Sequence, residues 1–170
     1  MRVVTGTSMR WRVARARVET PARQLAAMLA KYDPATARMA RAVLAEMTRR
    51  LPGATRLVYD NYNALVVGFG PSAKPSEAVF SIAVHPDHAS LVFIRGVDVP
   101  DPAKRLRGNG NQVRHVRLER GGATLDEPDV RRLMVAALAR AKPMPKARGA
   151  LVIQSASAKQ RPRRVAEKRR

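Results

Sequence analysis

The densest group of metal-ligating side chains in this sequence is His85-Pro86-Asp87-His88. Two imidazoles and one carboxylate could together hold a divalent metal ion. The proline, however, turns neighbouring side chains in different directions, and the histidines lack the i,i+4 spacing that places two ligands on one helix face. The alternative is a solvated β-turn in which Asp87 bonds to its own backbone. His85, Asp87 and His88 are therefore metal-ligand candidates, with a plain turn as the competing interpretation.

A second candidate site is the glycine-rich segment 108–110, which Arg105, Arg107 and Arg114 flank. Consecutive backbone N–H groups in such a segment can form an anion-binding nest, and arginine binds phosphate or carboxylate through its planar fork. The spacing is not that of a P-loop. The alternative is a turn that requires positive φ at glycine. The residues predicted to bind an anion or ligand are Arg105, Arg107, Gly108, Asn109, Gly110 and Arg114.

A third candidate is the polar run 59–63, at the expected turn between two strands. Alternation places Tyr59 and Asn61 on one face of the strand and Asp60 and Tyr62 on the other. One face could line a polar pocket between a sheet and its helices, and Tyr59, Asn61 and Tyr62 are the candidate pocket residues. The alternative is a hairpin turn with half-buried tyrosines.

The residues indicate no catalytic set. The chain has no cysteine, and its 13 acidic residues are few and scattered. No serine lies in a nucleophile elbow with a recognisable histidine–aspartate relay. We therefore predict a protein that is not an enzyme and needs no cofactor.

The formal net charge of +20 is concentrated at the two ends of the chain. Residues 1–20 carry five arginines and one glutamate, and residues 143–170 carry nine basic residues and one glutamate. Such tails could associate with nucleic acid without sequence preference through counterion release. No apolar run is long enough to span a membrane, and no secretory signal is recognisable. We expect a cytoplasmic, bacterial protein with no membrane partner.

The periodicity predicts an α+β domain. Two helices are expected first, beginning at Thr20-Pro21 and Asp33-Pro34, each with a polar residue before a proline in the first turn. Period-two runs of β-formers follow, and Asp126-Glu127-Pro128 begins a last helix. We expect an antiparallel sheet of four to five strands packed on the N-terminal helices and one C-terminal helix.

These elements divide the chain into three parts. Residues 1–20 form a basic, partly mobile arm, residues 21–142 the domain, and residues 143–170 a basic tail. The tail is expected to be largely disordered, with a possible edge strand near 150–154 around the β-prone triplet Leu151-Val152-Ile153.

One stretch resembles a known family. The hydrophobic run 91–96, Asp101-Pro102, the Gly-Asn-Gly of 108–110 and the basic strand 114–118 together resemble the YdhG-like bacterial domain of unknown function. The resemblance covers about residues 23–141. It implies a compact fold similar to frataxin, and some relatives have been proposed as iron chaperones. Frataxin-type iron sites use acidic residues on the first long helix and the first strand. This chain has Glu46 among arginines on that helix and Asp60 on that strand, so no iron ligand is carried over.

The sequence thus predicts a YdhG-like, non-catalytic binding domain for an anionic small molecule or a partner protein. Two alternatives stay open: nonspecific nucleic-acid association through the arginine-rich tails, and metal (iron) binding or a chaperone role.

Overall fold

The structure is a computed structural model that describes residues 19–165. Its helices are α1 (Pro21–Ala30), α2 (Pro34–Arg50) and α3 (Pro128–Ala139). Its strands are β1 (Thr55–Asp60), β2 (Leu65–Gly70), β3 (Phe80–Val84), β4 (Ala89–Phe93), β5 (Arg114–Arg117) and β6 (Leu151–Ala156). The predicted N-terminal arm, residues 1–20, falls almost wholly outside the described part of the chain.

The helices begin where the capping chemistry predicts. The Thr20 hydroxyl accepts a hydrogen bond from the backbone N–H of Arg23 at 3.3 Å, and Pro21 occupies the first turn of α1. Pro34 likewise opens α2, where its missing N–H has no helical partner to lose. Buried residues recur along α2 at Ala40, Val43 and Met47, so one face of the helix packs into the core.

The strands form one mixed sheet in the order β5-β4-β3-β2-β1-β6. Neighbours from β1 to β5 are antiparallel, whereas β6 lies parallel to β1, with Leu151 opposite Arg56. The α+β class is confirmed. The prediction of an antiparallel, frataxin-like sheet of four to five strands is wrong, because the chain returns after α3 and adds a sixth, parallel strand at the β1 edge.

Alternate strand residues and the three helices share a single hydrophobic core. Phe80 and Phe93 face each other across β3 and β4 with ring centroids 5.4 Å apart and planes nearly perpendicular. Tyr32, which follows α1, is buried, and its hydroxyl donates to the Val84 carbonyl at 2.8 Å. This bond fixes the α1–α2 junction against the end of β3.

Two glycines bring the segment 143–150 against the start of β1. A Cβ on Gly53 would lie 1.8 Å from the Pro145 carbonyl oxygen, and a Cβ on Gly149 would lie 1.9 Å from that of Ala54. Gly149 also donates its N–H to the Pro52 carbonyl at 2.9 Å. Only glycine permits two backbones to approach so closely. The glycines therefore determine where the residues between α3 and β6 lie.

Residues beyond β6 bond back to the turn between β1 and β2. The N–H of Ser157 donates to the Asp60 carbonyl at 2.8 Å, and that of Arg161 to the Tyr62 carbonyl at 2.9 Å. Arg163 is 4% exposed. The sequence predicts a largely disordered tail over residues 143–170, with a possible edge strand near 150–154. The structure has that strand as β6, which pairs with β1, and the residues that follow it are attached to the turn between β1 and β2.

Candidate functional site

A groove about 580 Å³ in volume runs between α2 and the segment 143–150. Its lining combines apolar or small residues with four cations. We call it the basic groove, and define it by the residues Leu44, Ala45, Thr48, Arg49, Pro52, Arg56, Lys146 and Arg148. Its volume lies within the range of roughly 300–1,000 Å³ that small-molecule sites occupy.

Three elements position the cations of the groove. Arg49 projects from the last turn of α2, and Arg56 is the second residue of β1. Lys146 and Arg148 lie between the two backbone contacts that Gly53 and Gly149 permit, at Pro145 and at Ala54. The close approach of the two backbones thus carries Lys146 and Arg148 beside Arg56.

The charges of the groove are largely uncompensated. Arg49 is paired with Glu46 through Nη2 and Oε1 at 2.6 Å. Arg56, Lys146 and Arg148 form no ion pair within residues 19–165. Burial lowers the pKa of the Arg56 guanidinium, and the charge of Arg148 lowers it further. A bound anion would relieve both effects, because it would pair with a partly desolvated cation.

A second cavity, about 490 Å³, differs in its charge pairing. It lies at the C-terminal end of α3 over the buried side chains of Val79 and Phe93, and it also contains cations. Here Lys142 Nζ lies 2.6 Å from Glu77 Oε1. Arg95 Nε lies 3.0 Å from Asp98 Oδ2. Both of these cations already have a carboxylate partner.

A third cluster of charge, which we call the Asp60 cluster, consists of Lys31, Asp60 and Arg163. Lys31 Nζ donates to Asp60 Oδ2 at 2.9 Å, and Arg163 Nη2 donates to Asp60 Oδ1 at 2.8 Å. The side chains of Asp60 and Arg163 are 1% and 2% exposed. Burial acts to raise the pKa of the Asp60 carboxyl, but hydrogen bonds from Lys31, Gln160 and Arg163 outweigh it and hold that pKa below its ordinary value.

The residues of the predicted glycine-loop site do not converge. Arg105 Nη2 bonds to Glu127 Oε2 at 2.6 Å, which directs that guanidinium to the start of α3. Arg114 Nη1 donates to the carbonyls of Gly110 and Val113. Gly108 has a φ of +111°, as a turn requires, and Asn109 and Gly110 are exposed. Of the three arginines, Arg107 has an exposed side chain and forms no ion pair within the described residues.

The predicted metal ligands lie in the turn between β3 and β4. The rings of His85 and His88 are stacked, with centroids 4.6 Å apart and planes 15° apart, and His88 Nδ1 lies 2.7 Å from Asp87 Oδ1. Burial lowers the pKa of His85, and the neighbouring His88 lowers it further. Among residues 19–165, no group of three or more histidine or acidic side chains is arranged to hold a metal ion.

The predicted pocket residues Tyr59, Asn61 and Tyr62 lie where the C-terminal segment attaches. Arg163 donates to the carbonyls of Asn61 and Tyr62, and the Arg161 guanidinium lies 5.6 Å from the centroid of the Tyr62 ring. Tyr62 is 46% exposed. This end of the sheet is thus occupied by the chain's own arginines.

Sequence reasoning missed the basic groove. Its cations come from α2, β1 and the segment 143–150, which are distant in sequence, and Lys146 and Arg148 had been assigned to the tail. The available signal was Gly149, two residues before the start of the β-prone triplet 151–153. A strand there must be reached by a close turn, and that turn carries two cations.

Comparison with protein-family models, with curated proteins and with solved structures found no match to this chain. Within residues 19–165, no helix is long and apolar enough to cross a membrane.

Proposed function

We propose that this protein is a non-catalytic binding domain that holds the phosphate or carboxylate groups of an anionic ligand in the basic groove. The observation that carries the proposal is the absence of an ion pair, within the described residues, for Arg56, Lys146 and Arg148 around one concavity. Arg56 is half-buried, so its contact with an anion is screened less by water than those of Lys146 and Arg148, which are exposed.

The lining of the groove supports binding rather than catalysis. None of its residues is a histidine, aspartate or glutamate that could transfer a proton at neutral pH. The hydroxyl of Thr48 donates to the Leu44 carbonyl at 2.7 Å, so its proton is engaged by the helix backbone. The assignment to a YdhG-like family and the cytoplasmic location stay predictions beside this proposal.

The test is calorimetric titration of the full chain with inorganic pyrophosphate. In the double variant Arg56→Met/Arg148→Met we expect the affinity to fall at least about tenfold, because two charge-assisted contacts are lost while the apolar stems are kept. The matched control is Arg120→Met/Arg131→Met, which removes the same charge from two exposed positions outside the groove. Equal loss in both variants, or none in either, contradicts the site assignment.

A further inference from the structure

A row of exposed arginines continues from the basic groove along α2. Successive residues of an α-helix are about 100° apart around its axis. Arg38 and Arg41 therefore lie on the face of α2 between the directions of Leu44 and Arg49, which both line the groove. Both side chains are exposed, and Ala45 lies between them and Arg49 on the same face. The groove is therefore one end of a longer cationic surface.

The length of this row exceeds what one small anion can use. From Arg38 to Arg49 the helix rises about 16 Å, at about 1.5 Å per residue. Successive phosphates of one nucleic-acid strand advance by about 3.4 Å along a duplex axis, so the row faces several phosphates at once. Within residues 19–165, neither Arg38 nor Arg41 forms an ion pair or a side-chain hydrogen bond.

Among residues 19–165, no carboxylate pairs with Arg38 or Arg41, whereas Arg49 at the end of the row is paired with Glu46. The nearest acid on α2 is Glu46, and both Arg49 and Arg50 bond to it, at 2.6 Å through Oε1. These contacts hold the pKa of Glu46 at about 2. Glu46 lies about 100° around the helix from Ala45, on the side where Arg50 reaches Asp126.

The surface also lacks a means of reading bases. No residue that lines the groove is aromatic, and the sequence of α2 contains no aromatic residue. Base stacking on aromatic side chains, which many single-strand binders use, is therefore not available here. A ligand bound along this surface is held by its phosphates and not by its bases.

We propose that the anionic ligand of the basic groove is the phosphodiester backbone of single-stranded nucleic acid, which lies along the α2 row and enters the groove beside Arg56. This inference rests on the proposed function and names its ligand class. A single strand is favoured over a duplex because the ligand must pass from an exposed helix face into a slot between α2 and the segment 143–150. A duplex holds its phosphates at fixed positions on a stiff helix, whereas the backbone of a single strand can bend over a few nucleotides and follow that path.

The test compares two probes on the full chain. Fluorescence anisotropy measures the affinity for oligothymidylates of two to ten nucleotides, and calorimetry measures the affinity for pyrophosphate. The variant is Arg38→Met/Arg41→Met, which lies outside the groove, and the control is again Arg120→Met/Arg131→Met.

We expect the variant to bind the ten-nucleotide probe about tenfold more weakly than the control does. Its slope of log affinity on log salt should be smaller by about 1.4, since two phosphate contacts are lost from a single strand. Pyrophosphate affinity should change less than twofold, because the groove is intact. Arginines in the terminal segments contribute equally to variant and control.

Three results would overturn the inference: equal oligothymidylate affinity in variant and control, no gain in affinity between two and eight nucleotides, or tighter binding of a duplex through the same arginines. Each is distinguishable from a failure of the proposed function, in which wild type and the Arg56→Met/Arg148→Met variant bind pyrophosphate equally.

Discussion

The Asp60 cluster and the basic groove use the same kind of side chain in opposite ways. In the Asp60 cluster, Arg163 and Lys31 converge on one carboxylate, and Arg163 is almost completely buried. In the basic groove, Arg56 lies beside Arg148 without a carboxylate partner among the described residues. In the first arrangement the buried guanidinium has a carboxylate partner within the chain, although Arg163 Nε itself has no hydrogen-bond partner among the described residues. In the second, Arg56 and Arg148 have no counter-charge among the described residues, as the proposed anion-binding role requires.

The comparison shows that a high density of arginine does not identify a site by itself. A cation that is paired and buried fixes one element of the fold to another. A cation that is partly buried and unpaired, with another cation beside it, is electrostatically unfavourable, and proteins concentrate such groups at functional sites.

The largest expected effect is that of Asp60→Asn on stability. The change leaves the buried Arg163 without its counter-charge, and breaking a buried pair in this way costs about 3–5 kcal/mol. Urea unfolding at pH 7 measures the change. The matched control is Asp126→Asn, which breaks the pair with Arg50 where the carboxylate is 67% exposed. That change should cost about 1 kcal/mol or less.

The pH dependence of the free energy of unfolding tests the same ion pair. The pKa of Asp60 is lower in the folded chain than its ordinary value of about 3.9. Its contribution to stability is therefore present above about pH 4 and is lost as the pH falls towards the folded-state pKa. The wild type should lose stability more steeply than Asp60→Asn below about pH 4. Parallel acid limbs would contradict the assignment.

A smaller effect on stability is expected from Gly149→Ala. This substitution should push the segment 143–150, one wall of the groove, away from the start of β1. The new Cβ would meet the backbone of Ala54, which cannot move aside as a side chain can. We expect a loss of about 1–3 kcal/mol in stability and weaker pyrophosphate binding. Gly122→Ala is the control, since nothing lies within 4 Å of its Cβ position. If both variants bind pyrophosphate like wild type, the close approach does not build the groove.

The smallest effect is expected from Arg56→Met on stability. The change removes a partly buried cation that has no ion pair within residues 19–165, and its apolar stem is replaced by one of similar shape. The free energy of unfolding should change by no more than about 0.5 kcal/mol, in contrast to Asp60→Asn. A loss of several kcal/mol would show that Arg56 is structural, and the contrast between the two regions would fail.

Much of the fold follows from local signals in the sequence. The Thr20-Pro21 and Asp33-Pro34 pairs mark helix starts because they supply chain geometry that only the first turn of a helix uses. The four strands between Thr55 and Phe93 follow from the period-two runs of β-forming residues and from the turn residues between them. Each of these strands pairs with the next one along the chain.

The parallel strand and the groove could not be derived in the same way. Leu151 pairs with Arg56, which is distant from it in the sequence, and a three-residue apolar run does not specify which strand it will pair with. The Asp60–Arg163 ion pair could not be predicted for the same reason. The two residues are distant in sequence, and nothing near either one indicates its partner. Arg105 and Arg114, adjacent to glycines in sequence, found partners in Glu127 and in backbone carbonyls instead.

The order of the elements along the chain also orders the folding of the protein during synthesis, because β6 follows the other strands and α3. A ribosome releases α1 to β5 before the segment 143–150, which forms one wall of the groove, has been made. The nascent domain can therefore collapse around its core with one edge of β1 open. That edge has unpaired backbone groups and is a surface for association with other chains until β6 covers it. Adding β6 to the sheet and completing the groove are then a single late event, and a chain that is cut short before Leu151 lacks the strand that covers the edge of β1.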